Sequence, residues 1–260
     1  MILRRIGNKS LISKDLISYF PEHNIYIEPF FGAGGIFFNK PKVKYNIFND
    51  LDSDVFNLFM VVINHKSELE DLFYKMPIHS DLLNYWRKNK EIDPIKKALR
   101  FLFLSNFTLF GKQDTIQGGT GNTKENFYNV IDKTYRMIND VKFFNTDFEV
   151  FLNKKIAFGE SAPINDCFIY ADPPYIDTVE TYSDQKNKWS SSNFIRLIDS
   201  LEKTKCRYAI SELYNDWVVK YSKNRGLNII EIREKRMLTR KTTSLEILII
   251  NYNNELNPMY

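Results

Sequence analysis

The feature that most limits the possible folds is a short apolar run that ends abruptly in an acid, two prolines and a tyrosine. Residues 167–171 are apolar throughout, as expected of a strand buried on both faces of a sheet. Pro173 and Pro174 fix their own φ angles and lack N–H groups, so the backbone cannot continue pairing there. The sequence therefore predicts a buried strand that displays Asp172 and Tyr175 at the edge of a sheet.

These displayed residues suit the binding of an exocyclic amine on a flat heterocycle. An aryl amine such as adenine N6 is a poor nucleophile, because its lone pair is delocalised into the ring. The Asp172 carboxylate and the Pro173 carbonyl could each accept one N–H, which directs the lone pair towards an electrophile, and Tyr175 could stack on the base. The alternative is a proline-rich turn that closes a strand. We predict that Asp172, Pro173, Pro174 and Tyr175 are catalytic.

Composition indicates one large domain, or one domain with an insertion, since 43% of the 260 residues are hydrophobic. The net charge of +4 is weak evidence for a polyanionic partner. The two cysteines each begin an apolar run, and the three histidines lack metal-ligand spacing, so we expect neither a disulfide nor a metal site. No secretion signal or membrane span is evident, which predicts a cytoplasmic protein without a membrane partner.

A turn near the start of the chain is a candidate for binding a carboxylate. Gly7 and Asn8 could bring backbone N–H groups and the Lys9 ammonium close to a ligand. An apolar-periodic helix is predicted at about residues 10–20, so an ordinary helix start is the alternative interpretation.

A glycine cluster follows a short predicted strand that begins at Ile25 and precedes an apolar helix start. Such a turn lets a cofactor approach the backbone, and the helix N-terminus favours a polar ligand. The spacing is not G-x-G-x-x-G and there is no P-loop lysine, which favours a nucleoside-bearing cofactor other than NAD or ATP. The candidate cofactor ligands here are Glu28, Pro29, Phe30, Gly32, Ala33 and Gly34.

Acids follow two further predicted strands. Asp50 ends the strand at residues 45–49 and is placed to accept both ribose hydroxyls of an adenosine-type ligand. Asp147 and Phe148 follow the strand at residues 142–145 and could bind the amine and the ring of a cofactor adenine. The alternatives are that Asp50 or Asp52 caps the next helix, and that Asp147 is an N-cap beside a core phenylalanine.

Residues 67–139 read as a helical insertion rich in basic residues, with a hairpin or loop at residues 106–122. In DNA-binding proteins, basic side chains usually contact phosphates and amide side chains contact base edges. The alternative is that this region is a solvated helical cap. A basic loop near the C-terminus also suits phosphate contacts. The candidate DNA-binding residues are Arg100, Asn106, Phe107, Lys112, Gln117, Arg236, Arg240 and Lys241.

Three more strands are predicted at residues 207–211, 228–233 and 245–252, after a polar loop at 177–189 and a helix at 190–203. The polar loop suits a mobile segment over a bound base. The total of seven strands interleaved with helices predicts an α/β sheet with helices on both faces.

In this order, the motifs resemble the Dam-type, alpha-class adenine-N6 DNA methyltransferases. The matching segments are Gly7-Asn8-Lys9, the glycine-rich residues 28–34, the insertion, Asp172-Pro173-Pro174-Tyr175 and a closing strand at 244–252. The resemblance covers nearly the whole chain. It implies a Rossmann-like methyltransferase sheet in a catalytic domain of residues 1–66 and 141–260, with a target-recognition domain at residues 67–140.

The resemblance implies S-adenosyl-L-methionine as methyl donor and a flipped-out adenine in double-stranded DNA as acceptor. The implied cofactor ligands are Arg5, Gly7, Lys9, the glycine loop, Asp50, Asp147, Phe148 and Asp172. Transfer would be direct, without a covalent enzyme intermediate. Arg5 stands where the family often has an aromatic residue, and the hairpin at 106–122 does not copy the arginine-bearing hairpin that reads GATC, so the target sequence stays open.

Other functions compete with this interpretation. The same acceptor groups could serve an RNA adenine methyltransferase or an enzyme acting on another planar amide. A catalytically inactive DNA-binding relative is a different class of protein, and the intact Asp172, Pro173 and Tyr175 argue against it. A restriction-system enzyme with a cognate endonuclease and a solitary or phage enzyme both fit, and the sequence carries no signal for the oligomeric state.

Overall fold

The computed structural model describes residues 2–3, 7–108, 115–117, 124–156, 164–176, 189–232 and 245–253. The strands in these ranges are β1 Ile25–Glu28, β2 Tyr45–Asn49, β3 Lys142–Phe144, β4 Cys167–Ala171, β5 Arg207–Leu213, β6 Asn228–Ile232 and β7 Glu246–Ile250. Within the described chain these seven strands form one sheet in the order β3-β2-β1-β4-β5-β7-β6. Strands β1 to β5 are parallel, and β7 is antiparallel to both β5 and β6.

Helices cover both faces of the sheet. Their bounds are α1 Ser13–Ile17, α2 Ser53–Asn64, α3 Lys66–Lys75, α4 Ser80–Lys88, α5 Pro94–Asn106, α6 Lys124–Ile138, α7 Phe148–Val150, α8 Ser191–Thr204 and α9 Asp216–Asn224. Side chains alternate along β4: Phe168 and Tyr170 pack with α1 and α2, whereas Ile169 packs with α8. The predicted α/β sheet of seven strands with helices on both faces is confirmed.

The strand order marks where a ligand can bind. From β1 the chain moves outward to β2 and β3, and it then returns to β4 and moves the other way to β5. Ligands of such sheets bind beyond the carboxyl ends of the strands where the order reverses, which here are β1 and β4. Because β7 is antiparallel to β5, its first residue, Glu246, pairs with Leu213 at the end of β5 and lies at this same edge.

The helical insertion shares a core with the sheet. One continuous buried cluster runs from Phe168 on β4 through Phe59 on α2 to Phe103 on α5. The Phe73 ring of α3 stacks on the Phe127 ring of α6, with centroids 3.6 Å apart. The insertion at residues 67–140 therefore packs on the sheet through α2, and its division as a separate domain stays a prediction.

Three local elements differ from the expectations. The helix expected after the glycine cluster is wrong, because only a 3-10 turn at Phe37–Asn39 forms before Pro41. The expected helix at residues 10–20 is shortened to α1, which follows a 3-10 turn at Lys9–Leu11. Helix α9 was not expected, and Asn215 caps it by accepting hydrogen bonds from two backbone N–H groups.

Across the described ranges, no helix combines the length and apolar character that a membrane crossing requires. The same ranges contain no group of three or more His, Cys, Asp or Glu side chains arranged to hold a metal ion. Cys167 and Cys206 are buried free thiols.

Candidate active site

The Asp-Pro-Pro-Tyr segment begins where β4 ends. All five residues of β4 are buried, so Asp172 is the first polar side chain at the carboxyl end of the strand, with 23% of its side chain exposed. Pro173 is buried, and Pro174 and Tyr175 are half-buried. The buried strand and its abrupt end are thus where the sequence predicts them, and they lie at the point where the strand order reverses.

Lys9 joins this segment to β7. Its Nζ lies 3.3 Å from the Asp172 carboxylate and 2.5 Å from Glu246 Oε1, and it donates to the Tyr175 hydroxyl. The Tyr175 hydroxyl in turn donates to Glu246 at 3.3 Å, and the Lys9 ammonium lies 4.5 Å from the centroid of the tyrosine ring. We call these four side chains the Lys9 cluster. Both Lys9 and Glu246 are almost fully buried.

The Lys9 cluster shifts the pKa values of its members. Burial raises the pKa of Asp172 to about 7, the negative charge of Glu246 adds to the rise, and Lys9 opposes it. Burial disfavours the Lys9 ammonium, but Asp172 and Glu246 outweigh this effect and raise the pKa of Lys9 above its ordinary value. Near neutral pH the lysine is therefore charged, while Asp172 changes from a carboxyl group to a carboxylate.

The glycine loop allows close packing against the Lys9 segment. Gly34 has φ +69°, and a Cβ there would lie 2.6 Å from the Phe38 ring and 2.7 Å from the Phe31 ring. A Cβ on Gly35 would overlap the Asn8 side chain and lie 3.0 Å from the backbone N of Lys9. Only glycine permits both approaches, so the loop helps to hold Lys9 at the carboxyl edge of the sheet.

Asp50 lies at the end of β2, facing the glycine loop. Its carboxylate accepts hydrogen bonds from the backbone N–H of Gly32 at 2.6 Å and of Asp52 at 2.8 Å. The buried Asn49 donates to the carbonyls of Pro29 and Thr146, which ties the ends of β1, β2 and β3 together. The acid expected beside the glycine loop is therefore held there by backbone contacts.

Two acids have the capping roles considered as alternatives. Asp52 caps α2 by accepting from Asp54 N, and Asp147 caps α7 by accepting from Glu149 N at 2.9 Å. Arg196 of α8 lies 3.4 Å from the Asp147 carboxylate. Capping orients the Asp147 carboxylate at the end of β3. The capping role is therefore compatible with the predicted role of Asp147 as a cofactor ligand.

An aromatic cluster lies between the glycine loop and α8. The ring centroids of Phe30 and Phe148 are 5.4 Å apart, and each is 5.6 Å from Trp189. Trp189 is 7% exposed, and its buried Nε1 has no hydrogen-bond partner in the described part of the chain. Such a donor costs about 1–3 kcal/mol when it is left unpaired. A flat ring that carries an acceptor would fit these groups.

Glu28 lies deeper than its neighbours in the glycine segment. Its carboxylate accepts from the Tyr26 hydroxyl at 2.6 Å, and burial raises its pKa to about 8. Lys40 lies 4.2 Å from the Tyr26 ring centroid, and burial lowers its pKa to about 8. Glu28 thus supports the end of β1 from within the core, and its contact with a cofactor stays a prediction, as do those of Gly7, Pro29 and Ala33.

The candidate DNA-binding residues have mixed environments. Arg100 donates through Nε to the carbonyls of Trp86 and Asn89, and Asn106 donates to the Ile2 carbonyl. Phe107 is 6% exposed, and among the described candidates only Gln117 is exposed. The remaining candidates lie outside the described residues: Arg5, Lys112, Arg236, Arg240, Lys241 and the segment 177–188.

The described parts of the 106–122 segment fit the expected hairpin. Thr108 and Ile116 form an antiparallel bridge, and Gln117 N donates to Phe107 O at 2.8 Å. Residues 107–108 and 116–117 are therefore paired in the antiparallel direction that a hairpin requires.

Comparison with known families decides the affiliation of the chain. The family model for D12 class N6 adenine-specific DNA methyltransferases matches residues 6–238. The chain belongs to this family. The matched range includes Lys9, the Asp-Pro-Pro-Tyr segment and the whole insertion.

Named relatives of this D12 class chain are methylases. Modification methylase StsI of Streptococcus sanguinis is 23% identical over 287 residues, covering 97% of this chain and 43% of that protein. DNA adenine methylase of Escherichia coli (strain K12) is 29% identical over 111 residues, covering 40% of this chain and 40% of that protein. DNA adenine methylase of Vibrio cholerae (strain ATCC 39541) is 23% identical, covering 92% of this chain and 89% of that protein.

The first two of these matches thus span less than half the length of the relative. Among solved structures, the N-terminal domain of human METTL16 in complex with SAH aligns with a TM-score of 0.39 and 10% identity, covering 93% of this chain and 68% of that one. A likeness this weak bears on neither activity nor ligand.

Sequence reasoning assigned no role to three residues of this edge. Glu246 begins an otherwise apolar strand. Glu212 is the last residue but one of β5, where it accepts from the backbone N–H of Leu213 at 2.9 Å and of Ile176 at 3.4 Å. Trp189 is the last residue of the polar loop predicted at residues 177–189. The signal for the two glutamates was visible, since an acid in a run of apolar strand residues is rarely buried without a partner.

Proposed function

We propose that the protein transfers a methyl group from S-adenosyl-L-methionine to N6 of adenine in double-stranded DNA. The observation that carries the proposal is the Asp172 carboxylate at the carboxyl end of β4, followed by two prolines and Tyr175, at the point where the strand order reverses. Membership of the D12 class family supports adenine as the acceptor.

The residues at this edge fit a sulfonium nucleoside cofactor. The rings of Phe30, Phe148 and Trp189 suit an adenine, and Trp189 Nε1, which has no partner among the described residues, suits an acceptor on such a ring. Asp50, held by the glycine loop, suits ribose hydroxyls, and Lys9 suits a carboxylate. When bound, the cofactor supplies an electrophilic methyl group.

The acceptor amine would be held by groups that only accept hydrogen bonds. An ionised Asp172 accepts one N–H and the Pro173 carbonyl accepts the other, which draws the nitrogen towards tetrahedral geometry. Tyr175 would stack on the base, because its ring follows two conformationally restricted prolines. Asp172 must be a carboxylate in this role, so its pKa of about 7 sets the pH range of activity.

Double-stranded DNA is the proposed partner, read by the insertion and the basic segment near residue 236. The target adenine would leave the helix, since the amine cannot reach Asp172 while the base is stacked. The word "modification" in the name of the Streptococcus sanguinis relative supports a cognate restriction endonuclease as a second partner. Action on DNA within the cell would take place in the cytoplasm.

Label transfer tests this function. The wild-type protein is incubated with labelled S-adenosyl-L-methionine and either duplex DNA or RNA, and the modified base is then located by sequencing. We expect label on adenine N6 in a defined DNA sequence. Label confined to RNA, or absent from both, contradicts the proposal.

A matched pair of variants tests the acceptor role. Asp172→Asn places an N–H donor opposite the amine and is expected to lower kcat by at least about 10³-fold while DNA binding persists. Asp166→Asn, at the other end of β4, keeps a side chain able to bond Asn24 and is expected to retain activity. Near-normal turnover of Asp172→Asn would show that the amine is held by other groups.

A further inference from the structure

Glu246 is a buried acid that the proposed reaction leaves without a role. It is 2% exposed and begins β7, whose other four residues are Ile, Leu, Ile and Ile. Removing a carboxylate from water costs several kcal/mol unless close partners compensate. An apolar strand that nevertheless begins with a buried acid indicates a specific task at that position.

Among the described residues, Glu246 contacts one side chain from each end of the active site. Lys9 Nζ lies 2.5 Å from its Oε1, and the Tyr175 hydroxyl donates to the same oxygen at 3.3 Å. Lys9 comes from the start of the chain and Tyr175 follows β4, so Glu246 is the point on the sheet to which both are attached.

The distances within the Lys9 cluster show how Glu246 affects Asp172. The lysine ammonium is closer to Glu246, at 2.5 Å, than to Asp172, at 3.3 Å. A carboxylate that forms a close pair with an ammonium has less capacity to accept other hydrogen bonds. With Glu246 as the main partner of Lys9, Asp172 can direct its acceptor capacity to an amine.

We propose that Glu246 is a positioning residue that binds the Lys9 ammonium more closely than Asp172 does and fixes the Tyr175 hydroxyl. The carboxylate and the aromatic ring are thereby kept ready for the acceptor base. In this role Glu246 acts through its two neighbours, Lys9 and Tyr175. This inference rests on the proposed function.

The charges around Asp172 determine the sign of a pH test. Lys9 on the N-terminal turn and Glu246 on β7 act on its pKa. The other described titratable groups with an electrostatic interaction with Asp172 are Glu212 on β5, Glu28 and Tyr26 on β1, and Tyr170 on β4. Glu246 raises the pKa of Asp172 and Lys9 lowers it. Removing the charge of Glu246 therefore lowers the pKa of Asp172 directly, and a closer approach of Lys9 lowers it further.

The test compares Glu246→Gln with Glu231→Gln, an exposed glutamate on the adjacent strand β6. We expect kcat of Glu246→Gln to fall about 100-fold, since small misplacements of reacting groups have effects of this size. KM for DNA should change little, and the acid limb of the kcat/KM profile, which reports the free enzyme, should move to lower pH. Glu231→Gln should match the wild type in all three measurements.

A general loss of folding would not move the acid limb in this direction, so the pH profile separates positioning from a structural role. An unchanged kcat and an unchanged acid limb in Glu246→Gln would overturn the inference while leaving the proposed function intact. Failure of the wild type to methylate any nucleic acid would instead overturn the proposed function.

If Glu246→Gln does not fold, Tyr175→Phe gives an independent measurement. It removes only the hydroxyl that Glu246 holds and keeps the ring. We expect kcat to fall about 10-fold, because the ring loses its anchor while its stacking surface remains. Wild-type kcat in Tyr175→Phe would overturn the inference.

Discussion

Asp172 lies between a cation and an anion, and its acceptor function depends on the balance of the two. Lys9 favours the ionised carboxylate, whereas burial and Glu246 disfavour it, with a resulting pKa of about 7. A carboxyl group that is protonated at pH 6 presents an O–H to the amine in place of an acceptor. Wild-type activity should therefore decline below neutral pH.

Lys9→Met should move this acid limb in the direction opposite to Glu246→Gln. Loss of the ammonium leaves Asp172 and Glu246 as neighbouring acids without a cation, which raises the pKa of Asp172. We expect the acid limb of kcat/KM for DNA, measured at saturating cofactor, to lie at higher pH than in the wild type.

The double variant Lys9→Met/Glu246→Gln is the control for this experiment. It removes both charges, so its acid limb should lie between those of the two single variants. Acid limbs that coincide in all four proteins would show that another group controls the pH dependence.

At the level of elements, the antiparallel strand β7 has a direct effect on the site. A parallel strand in its place would end, rather than begin, at the carboxyl edge. Its antiparallel direction instead brings Glu246 opposite Leu213 and next to Lys9. The residue that links Lys9 to Tyr175 is therefore supplied by the topology of the last strand.

Sequence patterns predicted correctly those features whose residues are adjacent along the chain. The apolar run before Asp172 and the acid after Asn49 identified two strand ends, because each strand and its terminal residue are adjacent in sequence. The contact between Lys9 and Glu246 joins the first turn to the last strand, and no local period encodes it. Helix α9 was missed because its apolar stripe is short, although Asn215 is a good N-cap.

A core residue of the insertion tests whether the insertion and the sheet unfold together. Phe103 of α5 is fully buried, and its ring lies 5.1 Å from Trp86 and 5.8 Å from Phe107. Phe103→Ala should lower the free energy of unfolding by about 3–5 kcal/mol. Because the cluster is continuous with the sheet, urea unfolding should remain a single transition by circular dichroism and by tryptophan fluorescence.

Tyr85→Ala, on the exposed side of α4, is the matched control and should change stability by less than about 1 kcal/mol. Two separate transitions in the wild type, of which Phe103→Ala shifts only one, would show that the insertion unfolds as an independent domain.

On the scale of the whole molecule, several acids are buried between the two cores at the carboxyl edge. Burial raises the pKa of Glu212 to about 8, against the opposing effect of its backbone N–H donors, and raises that of Glu28 to about 8. Each acid binds a proton in the folded state over a pH range in which the unfolded chain releases it. The stability that they contribute is fully present below pH 4.5 and is lost as the pH rises through 8.

Glu212→Gln isolates one such acid, because glutamine keeps the shape and cannot ionise. While the folded state holds its proton and the unfolded state does not, one group changes the free energy of unfolding by about 1.4 kcal/mol per pH unit. The stability of the variant relative to the wild type should therefore increase from pH 5.5 to pH 7.5, as measured by urea unfolding. Glu231→Gln, the same exchange at an exposed position on β6, is the matched control. Parallel curves for Glu212→Gln and the wild type would mean that Glu212 is already ionised in the folded protein, and that the carboxyl edge carries more negative charge than its burial indicates.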